Sequence, residues 1–172
     1  MSRRVPFLTW LLFYVWYAWG AALQSFLADP SRLGAWTPEV GVVLLVAVEG
    51  VLPRREATGA AIGIALLRTA FSADPPFAVV AGLLTIAWSL AGLRSLLIVD
   101  RALARTALAF FASFGFAIWL AFAHARTGGA TFDLALGSFL STAVATALAT
   151  LVGVPLARRL PGLTPLWQRR YA

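Results

Sequence analysis

Cysteine and lysine are absent from the sequence, and histidine occurs once. Without cysteine there is no disulfide framework, and one histidine cannot build a multi-His metal site. Charge is scarce too: 12% of the 172 residues are charged, about half the share of a soluble domain. So few charges cannot cover a surface that faces water, and the solvent such a chain suits is lipid. Catalytic constellations are also missing. The serines of the segments FASFG and GSFLS have no histidine within a helical span to serve as base, and no intramembrane carboxylates are paired for acid–base work. No Gly-rich phosphate loop follows a strand. These absences point away from an enzyme, a metal and a cofactor.

Apolar residues take the place of what is missing. They make up 60% of the chain, and the mean hydropathy is +0.83. A net charge of +7 would suit a polyanion. Yet the arginines lie in short clusters between apolar runs, as the positive-inside rule requires, and not in a phosphate-binding stripe. Nucleic acid is therefore not an expected partner. The length suits one domain, a single integral membrane unit over 1–172.

The pattern predicts an all-α, polytopic bundle of six transmembrane helices at about 6–27, 38–52, 57–71, 77–99, 106–123 and 134–156. A cytoplasmic amphipathic tail, 157–172, follows. Arg3-Arg4, an apolar run and Gly20-Ala21-Ala22 imitate a signal peptide, but the run from Pro6 to Leu27 is long enough to span and more spans follow. Helix 2 opens on Pro38 and stops at Pro53, which has no N–H to donate. Pro53-Arg54-Arg55-Glu56 reads as a sharp basic turn. Helices 2 and 3 each rise only about 22 Å, against about 30 Å of hydrocarbon. His124 falls in an outer loop, 124–133, where solvent is its expected surrounding. Eleven arginines fall on the N-terminal side of this topology and two, Arg32 and Arg126, on the other, with Arg68 inside a span. Both termini are thus expected in the cytoplasm, with the protein in the bacterial inner membrane.

Arg68 stands out, because a charge at membrane depth costs roughly 2.5–3.5 kcal/mol and needs a partner. Glu39 and Asp74 are the partners within reach of its level. The cluster reads either as a charged site facing a groove or as a structural ion pair, unless Arg68 snorkels to the headgroups. Glu49, near Arg54 and Arg55, reads as part of an interfacial pair. Gly59 and Gly63 form a small-xxx-small face for helix packing, and with Pro38 they are the candidate packing or partner residues. Ser138, Ser141, Thr142, Ala145, Thr146, Ala149 and Gly153 make a similar stripe on helix 6. Arg54, Arg55, Arg158, Arg159, Trp167, Arg169 and Arg170 suit an anionic cytoplasmic leaflet; for the tail, contact with a cytoplasmic partner is the alternative.

The order of features resembles the rod-shape-determining MreD family. The resemblance is carried by Leu23-Gln24-Ser25 at the end of helix 1, Pro38-Glu39 opening helix 2, Arg54-Arg55 in a basic turn, and Gly59-Ala-Ala-Ile-Gly63. Helix 4 ending in Arg94, and a last helix ending Pro-Leu-Ala-Arg-Arg, continue it. Two positions depart: Leu67 stands where the family often has an aspartate, and Asp74-Pro75-Pro76 replaces a glycine before helix 4. The resemblance implies a non-enzymatic component of the cell-wall elongation machinery. Such a protein binds a bitopic MreC-like partner and, through it, the wall synthases and MreB filaments. The family is similar in architecture to the substrate-binding membrane subunits of vitamin-type transporters, which supplies the alternative function.

Overall fold

A computed structural model describes residues 5–49, 51–93, 102–128 and 135–167. Among them every regular element is helical. Pro6, with its φ fixed and no N–H to satisfy, sits just ahead of α1, Phe7–Leu27. Thr9, Phe13, Tyr17 and Ala21 recur every four residues along α1 and form its buried stripe. Its other faces leave Phe7, Leu11, Trp19, Leu23 and Phe26 exposed. Asp29 ends the helix by accepting the Ser31 N–H at 2.8 Å. A 3₁₀ turn, Gly34–Trp36, leads to α2, Val40–Glu49.

Eight of the ten residues of α2 are buried, and the helix packs against α1, α3, α4, α5 and α6. A helix apolar on every side belongs in the middle of a bundle, and α2 is the axis of this one. Pro53 then accepts the N–H groups of Glu56 and Ala57, so α3 runs Arg54–Thr69. The basic turn expected over 53–56 is shorter than the sequence suggested. Arg54, Arg55 and Glu56 form the first helical turn, where the Glu56 carboxylate favours the N-terminal end of the dipole.

Pro76 occupies the first position of α4, Pro76–Leu93; the expected end of that helix, 94–99, lies outside the described residues. α5 covers Ala102–Gly128, longer than expected at both ends. Ala102-Leu103-Ala104-Arg105 are strong helix formers, and no breaker follows Ala123 until Gly128. α6 runs Leu136–Arg159 through Pro155, three residues beyond the expected end, with Arg158 and Arg159 complementing the dipole in its last turn.

The segment after α6 departs most from the sequence reading. It does not simply trail across a surface. Gly162, at φ +81°, turns the chain back so tightly that a Cβ there would lie 2.2 Å from Leu12. Leu163 and Leu166 are then buried, the latter on α7, Thr164–Trp167. Trp16 donates its indole N–H to the Pro161 carbonyl at 3.4 Å. Burying two leucines outweighs leaving them at an interface, each by about 1.5–3 kcal/mol.

α4, α5 and α6 contain three stretches, Pro76–Leu93, Ala102–Thr127 and Leu136–Arg159, that are long and apolar enough to cross a membrane. With Phe77, Leu103, Phe111 and Val152 exposed on them, the bundle has the outer surface of a membrane protein.

Candidate functional site

One cluster of charged and polar residues lies at the end of the bundle where α1, α3 and α5 finish and α2, α4 and α6 begin. Arg68, in the last turn of α3, reaches Glu39 just ahead of α2 with Nη1, and Asp74 just ahead of α4 with Nη2 at 3.1 Å. All three side chains are shielded, at 12%, 7% and 18% exposure respectively. The Arg68 guanidinium also lies 4.9 Å from the centre of the Phe116 ring on α5, a cation–π distance. Its Nε is buried with no hydrogen-bond partner. The structure thus brings together the three residues the sequence singled out for intramembrane charge.

Each carboxylate is held from a second side. Gln24, near the end of α1, donates from Nε2 to Glu39 at 3.2 Å and accepts the Val40 N–H at 3.0 Å. One amide therefore clamps the carboxylate and caps the N-terminus of α2, where donors lack helical partners. The Glu39 N–H donates to the Thr146 hydroxyl of α6 at 2.9 Å, which itself donates to the Thr142 carbonyl. Ser113 of α5 completes that node at 3.1 Å from Thr146. Gly41 leaves room for all this: a Cβ there would meet Ile64 at 3.1 Å, the Tyr17 hydroxyl at 3.5 Å and Glu39 at 3.6 Å.

Asp74 accepts from the Ser72 hydroxyl at 2.9 Å and is bonded to His124 Nε2, also at 2.9 Å. Burial alone would raise the Asp74 carboxyl. The bond to His124, the Arg68 charge and the Ser72 hydroxyl outweigh it and hold the group below the usual carboxylate range. His124 is not in a loop as expected. It lies in the last turns of α5, half-exposed, and ties α5 to the α3–α4 connection. Its helical setting follows from the uninterrupted 123–127 segment, a signal the sequence did carry.

The remaining sequence-predicted residues occupy other places. Gly63 meets α1: a Cβ there would fall 2.4 Å from the Tyr14 ring. Gly59 has open space beyond its Cα, and its carbonyl accepts the Tyr14 hydroxyl at 3.2 Å. Only one of the two glycines is needed for close approach. Pro38 is half-buried on an apolar groove between α1 and α6. Glu49 is buried at the end of α2. Arg54, Arg55, Arg158 and Arg159 are exposed at the end of the bundle opposite Arg68, and Arg158 lies 6.0 Å from the Trp167 ring. Arg169 and Arg170 lie outside the described residues. Among the described residues, no group of three His, Asp or Glu is placed to hold a metal ion.

A cavity of about 390 Å³ adjoins the cluster, with Glu39, Arg68, Ser113, His124, Ser138 and Thr142 on its polar side. A scan against protein-family models and searches of curated proteins and of solved structures found no match to this chain.

Proposed function

We propose that the chain is a non-enzymatic component of the bacterial cell-wall elongation machinery, of the MreD kind, embedded in the inner membrane by six spans with both termini cytoplasmic. The observation that carries this reading is where the resembling residues meet. Gln24 of the Leu-Gln-Ser segment, Glu39 of Pro-Glu, and the Gly63-bearing helix that presents Arg68 interlock around the N-terminus of α2. A motif spread over three helices that builds one polar node is under a common structural demand. The six-span topology is supported by α1, 21 residues without a charge and so about 31 Å long, and by the arginine partition. α2 enters as a short buried helix and α3 as its partly exposed neighbour.

In this role the bundle is an assembly partner. It binds a bitopic MreC-like protein within the bilayer, and through it the wall synthases and MreB filaments. Depletion of the protein gives rounded cells, and affinity capture from membranes recovers a bitopic partner. Normal rods, with no such partner recovered, would sink the reading. Cysteines introduced at either terminus label only from the cytoplasm; labelling from the periplasm would overturn the topology. The second reading, a substrate-binding transporter subunit, is favoured by one observation, the cavity beside Arg68. It requires a small molecule that co-purifies with the protein and is lost in Arg68→Ala.

A further inference from the structure

The cavity between α5 and α6 is a third observation that neither the packing nor the partner role uses. Its volume, about 390 Å³, lies in the range of small-molecule sites. The hydroxyls that line it have spent their protons inside the protein. Ser138 donates to the Ala135 carbonyl at 2.9 Å, and Thr142 to the Ala35 carbonyl at 2.8 Å. Thr146 gives its proton to Thr142, so in the 3.1 Å contact with Ser113 it is Ser113 that donates. Each of these oxygens keeps lone pairs and no free donor. The charges point the same way. Asp74 is taken up by Arg68, Ser72 and His124, Glu39 by Arg68 and Gln24, and both terminal nitrogens of Arg68 are engaged by the two carboxylates. An anion entering here would meet lone pairs and a carboxylate. A cation would meet acceptors, the hydroxyl oxygens and the Glu39 carboxylate.

The geometry points to a binding site for a small organic ammonium ion. Its N–H groups face Glu39 and the oxygens of Ser113, Ser138 and Thr142, while its apolar body lies against Phe116, Leu120 and Phe139. The inference stands apart from the cell-shape reading, which requires no ligand, so either survives the failure of the other.

The test uses 2-phenylethylammonium as probe, with 2-phenylethanol and phenylacetate as neutral and anionic counterparts of similar size. Binding to the detergent-purified full chain is measured by calorimetry. The ammonium ion binds and its two counterparts bind more weakly. Glu39→Gln weakens the ammonium ion about tenfold or more, the effect of losing one charge-assisted hydrogen bond. Ala121→Phe fills the cavity without touching the polar network and removes binding. If Glu39→Gln does not fold, Ala121→Phe and the three-probe comparison decide. Phenylacetate or phenylethanol binding as tightly as the amine, no amine binding, or undiminished affinity in folded Ala121→Phe would each overturn the proposal.

Discussion

Replacing Arg68 by alanine removes the one positive charge that two shielded carboxylates share. Deleting one member of a buried ion pair costs about 3–5 kcal/mol, because the partner's charge stays buried without compensation. Here Glu39 keeps the Gln24 amide, and Asp74 keeps Ser72 and His124, so the cost falls at the lower end, about 3 kcal/mol. For a domain of this size that is a drop in Tm on the order of 10 °C. The assay is thermal unfolding in detergent of Arg68→Ala, Glu39→Gln and the double variant Arg68→Met/Glu39→Gln. Each single change is destabilising. The double variant recovers the part of the loss that comes from Glu39, since a Met–Gln pair carries no charge and Asp74 keeps Ser72 and His124, and the coupling energy reads about 1–3 kcal/mol. An Arg68→Ala protein that unfolds within about 2 °C of the parent would refute the reasoning, as would strictly additive single variants.

Three further outcomes are expected. Gly59→Ala is neutral or stabilising by up to about 1 kcal/mol through helix propensity, whereas Gly63→Ala drives a Cβ into Tyr14 and costs about 1–3 kcal/mol; unfolding midpoints of the two distinguish them. The Asp74 carboxyl is held below its unfolded value of about 3.9, so its stabilising contribution is present above that pH and is lost as pH falls through the folded value. Melting curves taken down this range fall more steeply for the parent than for Asp74→Asn. Leu166→Ala opens a hole in a fully buried position and costs about 2–5 kcal/mol, visible as a lower Tm and as faster proteolysis beyond Arg159; unchanged stability would mean that α7 is not docked.

Much of the architecture was legible because it follows from local rules. Prolines 6, 53 and 76 mark helix starts through their fixed φ and missing N–H, and apolar runs between them have no other fold to adopt. The meeting of Arg68 with Glu39 and Asp74 was legible for an energetic reason: a charge among apolar neighbours needs a partner, and the topology brings only two near it. What escaped were contacts set by packing. His124 joins Asp74 because α5 is extended past 123, and Thr146 joins Glu39 across more than a hundred residues of sequence. Gln24 carried a weak sign of its role, an amide near the end of a helix without charges. The return of Leu163 and Leu166 to the core depends on the Gly162 turn meeting Leu12, which no periodicity reveals.

The brevity of α2 bears on how the protein is made. Ten residues rise about 15 Å, half the hydrocarbon thickness, so under the proposed six-span topology lipid alone cannot retain this helix once it leaves the insertion channel. It needs α3 beside it as a hairpin, and it needs α6, the last of the long helices to emerge from the ribosome, to cover its flank. Biogenesis is therefore completed from the C-terminal side. A nascent chain interrupted within α6 leaves an unshielded half-length helix for quality-control proteases to find.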